Sequence, residues 1–338
     1  MKRNVLIIGG GPAGIEAARR IRDYGHTPIL IEKEARLGGH LAKWHKLFPD
    51  GESTEEVLTA LTSDMEGIKW FTDTAIVSIN RLKHLYVAIF SNGITVQADA
   101  ILFATGFSLF PAEKKEEYGY GIYNNVVTNA DLEHFFNTGN DPRIKDPKVI
   151  GFVHCVGSRD EKAGNRQCSK VCCATAVKQA CEMKERYPDA SIYCFYMDLR
   201  MFGRKYEDLY LNAQRKYGIF FVRGRVSEVS EDIEGRLVVK AEDTLAGKPL
   251  RITMDLLVLM AGMSPCIENP EIASMTGIHM GEDGFFMPRD LMLRPVESHS
   301  KGIFLAGAVT GPKTIPETLN EARAAAMAID NYFKQKAE

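Results

Sequence analysis

No stretch of the 338 residues approaches the ~18–20 consecutive apolar residues of a bilayer-spanning helix, so direct membrane insertion is not expected. The start, "MKRNVLIIGGG", has only four apolar residues before its glycines, too few for a secretory leader. A charge excess is missing too: 42 basic against 44 acidic residues give a net charge of −2, which offers no electrostatic footprint for nucleic acid. Repeats, low-complexity tracts and Gly/Ser linkers are also absent. Cysteine is sparse, with seven in the chain. These features fit a cytoplasmic protein, where thiols stay reduced. Cysteines that cluster there point to metal or redox chemistry rather than structural disulfides.

The chain exceeds the ~250–300 residues at which single cores divide, so two domains are expected. "NVLIIGGGPAGIEAARRIRDYGHTPILIEKEARLGG" reads as strand, glycine turn, helix and strand. Val5 to Ile8 form the continuous apolar run of a parallel strand buried on both faces. Gly9, Gly11 and Gly14 follow with G-x-G-x-x-G spacing: a tight turn, close approach to a pyrophosphate, and helix–strand contact. The helix begins at Pro12 and Ala13, so its amide groups point at the phosphates. Glu32 ends the second strand, where an acid accepts hydrogen bonds from a ribose, and Lys33 follows it.

Several segments resemble the flavoproteins with two dinucleotide-binding domains. "RLGG" places Gly38 and Gly39 where that group has its glycine pair, and "ADAILFATG" supplies Ala104, Thr105 and Gly106. "KGIFLAGAV" is similar to its second flavin strand, with Gly307 and Ala308 by the ribityl chain. The group usually has Asp where Ala308 stands. In "GPKTIPETLNEARAAAMAIDNYF", Pro316 fits the first helical turn. The free amides from Lys313 to Ile315, Thr314 among them, suit the electron-rich edge of a reduced flavin. The resemblance implies FAD rather than NAD, in an α/β, thioredoxin-reductase-like flavoprotein.

A second alternating unit lies between the flavin segments, but its first turn reads "HCVGSRDEKAGNRQCSKVCC" and has no G-x-G-x-x-G. The nicotinamide site expected there is replaced by cysteines. We expect a split FAD domain over 1–110 and 285–338, a connecting segment over 111–147, and a second Rossmann-like domain over 148–284. Cys155, Cys168, Cys172 and Cys173 follow the pattern C-x12-C-x3-C-C. Packing, a Cys168–Cys172 redox disulfide and a metal centre compete. The polar segment "VGSRDEKAGNRQ" argues against packing, and Cys172 and Cys173 are adjacent, which strains a disulfide between them. Four thiolates suit zinc or a cubane, and a flavin in the same chain favours a 4Fe–4S cluster. Cys181, Cys194 and Cys266 have no such pattern, Cys181 and Cys194 reading as packing residues; His154 reads as a core histidine rather than a ligand or second-shell donor.

"HCVGSRDE", "CSKVCC", "YMDLRMFGRKYEDLY", "EDTLAGKPLRITMDLLVLMAGMSP" and "GIFLAGAVTGPKTIPETLNEARAAA" resemble the A subunit of heterodisulfide reductase. The resemblance implies that the four cysteines bind a 4Fe–4S cluster beside the FAD, and that Lys178 approaches the flavin ring. It also implies other subunits as partners, and a homodimer. The ferredoxin-type cysteine runs of the methanogen subunits are missing. This short form is similar to the flavoprotein of the sulfur-oxidising heterodisulfide-reductase-like complex. The related flavoprotein of the quinone-interacting membrane-bound oxidoreductase complex is the nearest alternative. A self-sufficient NAD(P)H-dependent disulfide reductase and a non-catalytic assembly protein remain as rivals.

Overall fold

The computed structural model describes residues 2–336. It divides into two compact units: among the described residues 2–43, 54–108 and 264–336 form the first, and 44–53 with 109–263 form the second. The chain passes between them at 43/44 and 53/54, and again within two short strands, β8 (Ser108–Leu109) and β17 (Met263–Ser264).

The first unit is built on a parallel sheet in the order β18 (Ile303–Leu305), β7 (Ala100–Phe103), β1 (Asn4–Ile8), β2 (Thr27–Ile31), β3 (Lys69–Phe71). β1 is central, paired in parallel with β2 and β7, which explains why Val5 to Ile8 are all apolar and buried. Helix α1 (Pro12–Asp23) crosses from β1 to β2 and packs on the closing helix α7 (Ile315–Gln335). Buried Glu16 fixes that contact by accepting from Arg323 Nε of α7 at 2.6 Å, while Arg20 Nε of its own helix donates to it at 3.0 Å. An antiparallel ribbon of β4 (Ile76–Leu82), β5 (Leu85–Phe90) and β6 (Thr95–Ala98), with helices α2 (Thr54–Thr62) and α6 (Asn269–Thr276), completes the unit.

The second unit repeats the plan. Its parallel sheet runs β12 (Phe220–Arg223), β11 (Ser191–Tyr196), β10 (Val149–Val156), β16 (Leu256–Ala261), β9 (Val126–Thr128). Helices α3 (Asn129–Thr138), α4 (Cys172–Arg186) and α5 (Tyr206–Arg215) belong to it, with an antiparallel ribbon of β13 (Val226–Glu231), β14 (Leu237–Asp243) and β15 (Lys248–Met254). "IFFVRGRVSEV" is split at Gly224 between sheet and ribbon, because the chain there passes too close to Glu242 for a side chain; a Cβ would sit 1.6 Å from its carbonyl oxygen.

The unit boundaries differ from those expected. Residues 111–147 are no connector: they supply edge strand β9 and helix α3 to the second unit. Residues 264–284 join the first unit rather than the second, and 44–53 join the second.

Candidate functional site

In the first unit the glycines of the opening turn divide by what surrounds them. Gly9 has φ +107°, and a Cβ there would lie 2.3 Å from the Ala104 carbonyl oxygen. At Gly14 a Cβ would meet the Gly9 carbonyl oxygen at 1.9 Å. Gly11 faces open space, with nothing within 4 Å of the missing Cβ. Two of the three glycines therefore close the fold, and the third leaves room for a ligand. Pro12 and Ala13 open α1 behind Gly11.

The predicted acid is in place. Glu32 is buried, its Oε2 accepting from Gly10 N at 2.7 Å and its Oε1 from Glu34 N at 2.8 Å. Lys33 instead turns to Glu268, at 2.6 Å. The glycine pair lies on the first turn, with Gly38 N donating to Gly10 O at 2.8 Å and the absent Cβ of Gly39 only 3.3 Å from Gly11 Cα. Thr105 has a buried hydroxyl with no partner among the described residues, and Gly106 (φ +75°) beside it faces open space. Gly307 stands against Ala13, where a Cβ would come within 2.9 Å of that side chain. Its amide donates to Glu321 at 3.0 Å, and Ala308 is buried next to it.

At α7 the expectation of free amides needs correction. Thr314 and Glu317 form a capping box that takes up the amides of both residues. Gly10, His40 and Glu321 were not anticipated. His40 stacks on Phe107 at 4.3 Å and hydrogen-bonds its carbonyl at 2.9 Å; burial pulls its pKa below the usual value. For His40 the "GGH" triplet was the available signal.

In the second unit Cys155 ends β10, Cys172 and Cys173 begin α4, and Cys168 lies on the connection between them. Cys155, Cys172 and Cys173 are buried, and Cys168 is half-buried. Their thiols are close enough to act on one another electrostatically. Burial first, then the charges of Cys173 and Cys168, pushes Cys155 up to about 11; burial and the other three thiols push Cys172 higher still. Low-pKa, reactive thiolates are the opposite case. A cationic metal centre would reverse the balance by holding thiolates directly.

The connection from Gly157 to Val171 is contorted. Cys155, Arg159 and Lys170 all adopt left-handed φ values of +60°, +53° and +61°, each costing about 1 kcal/mol or more for a non-glycine residue. Unpartnered buried polar atoms gather on the same stretch: both ring nitrogens of His154, Ser158 Oγ and Arg159 Nη1. Burial holds the His154 pKa down at about 4. Buried polar groups are rarely left unpaired, so this concentration marks a place built around a polar group. Arg159 reaches Asp198 at 2.7 Å, and Cys173 Sγ lies 3.7 Å from the Asp198 carbonyl.

Among the described residues no three His, Cys, Asp or Glu side chains stand close enough to share one metal ion. A single tetrahedral zinc would need thiolates about 3.8 Å apart. Cubane thiolates each bind a different iron and stand wider. Four buried or half-buried thiols beside unpartnered polar atoms are the kind of donor set a cubane would use. Cys181 and Cys194 lie in the hydrophobic core of this unit, and Cys266, in the first unit, is buried with Sγ 3.4 Å from the Thr105 carbonyl.

Lys178 is buried in a separate network. Its ammonium donates to Glu133 Oε1 at 2.5 Å, meets Glu182 Oε2 at 3.2 Å, and donates to the Lys46 carbonyl at 3.0 Å. Gln179 Nε2 and the His45 amide also donate to Glu133. Its three donors are thus engaged within the second unit.

A family model described as pyridine nucleotide-disulphide oxidoreductase matches residues 3–137. Thioredoxin reductase from Lactococcus lactis superposes with a TM-score of 0.70 at 19% identity, covering 99% of this chain and 100% of that one. The T. acidophilum enzyme gives 0.69 at 17%, covering 98% and 99%. These likenesses establish a thioredoxin-reductase-like fold. In sequence, the chain is 32% identical to the iron–sulfur A subunit of CoB–CoM heterodisulfide reductase from Methanocaldococcus jannaschii, over 97% of its own length and 64% of the relative's. It is 44% identical to the A subunit of the H2/formate:CoB-CoM heterodisulfide, ferredoxin reductase of Methanococcus maripaludis, over 70% of this chain and 37% of that one. The chain thus spans less than two thirds of the length of these relatives. With a third of its residues shared across nearly its full extent, the chain belongs to the family of heterodisulfide reductase A subunits.

Proposed function

We propose that the chain is a flavin-dependent electron-transfer oxidoreductase subunit of a heterodisulfide-reductase-like complex, with FAD in the first unit and a 4Fe–4S cluster in the second. The observation that carries the reading is the replacement of the second glycine turn by four cysteines amid unpartnered buried donors. When bound, FAD supplies two-electron hydride-type chemistry and the cluster one-electron chemistry.

The residues divide that work. Gly11 admits the pyrophosphate and α1 presents its amides to it. Glu32, held by Gly10 and Glu34, receives the ribose hydroxyls. Thr105, Gly106, Gly307 and Ala308 line the remaining cradle, and Gly38 and Gly39 close it. Thr314 and Ile315 bring the start of α7 to the flavin. Cys155, Cys168, Cys172 and Cys173 hold the iron, and Arg159 offsets the negative charge of the thiolates. Lys178 is the residue left for the flavin ring by family likeness, although its donors are engaged by Glu133 and Glu182. The substrate disulfide or sulfane sulfur is handled by partner subunits in the cytoplasm, in sulfur-compound oxidation, and the chain acts as a homodimer. No described helix is long and apolar enough to cross a membrane.

The test is anaerobic stopped-flow absorbance at the flavin band. Dithionite should bleach the isolated chain, whereas NADH and NADPH should act slowly or not at all. Rapid bleaching by either nucleotide, retained in Cys172→Ser, would instead identify a self-sufficient nicotinamide-dependent reductase.

A further inference from the structure

The two loops that follow β10 and β11 enclose a second feature, outside the cysteine set. In open α/β sheets ligands bind beyond the carboxyl ends of the strands, where the strand order changes direction. In the second unit the order turns between β10 and β16, and the feature lies one strand over, beyond the carboxyl ends of the neighbours β10 and β11. Residues after β10 and β11 line a cavity of about 390 Å³, within the ~300–1,000 Å³ of small-molecule sites.

The lining is strongly one-signed. Arg159, Arg166, Lys170 and Arg200 contribute positive charge, Phe202 an aromatic face, and no carboxylate is among the lining residues. Asp198 pairs with Arg159 at 2.7 Å and Glu161 with Arg166 at 3.3 Å, and Lys170 is also engaged. Both acids are more than half exposed, so water screens them. Arg159 retains a buried Nη1 without a partner, and the Lys170 ammonium is 5.8 Å from the ring of Phe202, itself 57% exposed. Arg159 and Lys170 hold left-handed backbone on either side of this lining, so the fold spends strain where the charges gather.

We propose that this cavity binds a small polyanion, a molecule bearing two or more carboxylate, phosphate or sulfonate groups, at the open edge of the cysteine site. Of the four clustered cysteines only the half-buried Cys168 lines it. The proposal therefore stands whatever the cysteines hold. A dinucleotide does not suit the cavity. The glycine turn that would wrap a pyrophosphate is missing, and Asp198, the acid following β11, is already taken by Arg159. Several planar guanidinium groups around one cavity match carboxylate and phosphate-type oxyanions, which they bind through paired hydrogen bonds.

The experiment is isothermal titration of the anaerobic full chain, its iron and flavin counted beforehand, with inorganic pyrophosphate, citrate and NADP against chloride of matched ionic strength. Pyrophosphate and citrate should each bind saturably, once per chain. Arg166→Ala and Arg200→Ala should each weaken binding by about tenfold, the order of one lost charge-assisted hydrogen bond. Lys162→Ala, exposed and outside the lining, should leave it unchanged within about twofold. Iron and flavin content should stay at the parent level in all three variants. Absence of saturable binding beyond chloride would overturn the proposal, as would equal losses in all three variants. NADP binding about tenfold tighter than pyrophosphate would overturn it too, in favour of a dinucleotide site.

Discussion

Gly11 and Gly14 occupy one motif, yet the structure gives them opposite kinds of necessity. A methyl at Gly14 would drive into the Gly9 carbonyl, whereas one at Gly11 meets no protein atom within 4 Å. Gly14→Ala should therefore destabilise the chain itself, by about 1–3 kcal/mol as an overpacking change. Gly11→Ala should fold normally and lose flavin. Thermal melts of flavin-free protein beside flavin retention after dialysis separate the two outcomes. A Gly11→Ala chain that keeps its flavin would refute the placement of the pyrophosphate. This division was legible in the sequence, because the spacing encodes which glycine does what. Gly10, whose amide holds Glu32, was not legible, since the motif leaves that position open. His154 was read as a packing histidine; only three dimensions reveal that neither of its buried nitrogens has a partner.

At the scale of elements, helices and strands with strong patterns came out where the pattern placed them: Val5 to Ile8 lie buried in β1, and α1 begins at Pro12. Residues 111–147 did not. Their apolar strand is three residues long, "VVT" of β9, too short to leave an alternating signal. The start of α3 did carry a readable sign, Thr128 three residues before Asp131. Burial opposes the charge of Asp131, but Arg143 at 3.0 Å and the Thr128 amide and hydroxyl outweigh it and hold its pKa below the usual carboxylate value. A carboxyl lowered on folding contributes stability that is full above its unfolded pKa and is lost as pH falls through the folded value. Asp131→Asn should thus cost about 1 kcal/mol near neutrality, and the gap from the parent should narrow as pH drops below about 4. Urea unfolding of both chains across that range is the check; a gap independent of pH would assign the cost to something other than the charge.

For the molecule as a whole, two Rossmann-type units follow from the alternating pattern, and both sheets are parallel as that pattern requires. The first unit keeps its glycine turn, and the second exchanges it for cysteines on a strained, polar connection. That exchange was visible in the sequence as a motif missing from its expected place. The positive cavity beside it was not, because its cations come from two separate loops with no shared spacing. The central claim is that this one chain unites a flavin with an iron–sulfur centre. Its most direct measurement is the iron, acid-labile sulfide and FAD content of anaerobically purified protein, parent beside Cys172→Ser. The account predicts about four irons and four sulfides per FAD, with the metal lost and the flavin kept in Cys172→Ser. Stoichiometric zinc in place of iron, or a metal-free chain with Cys168 and Cys172 joined as a disulfide, would contradict it.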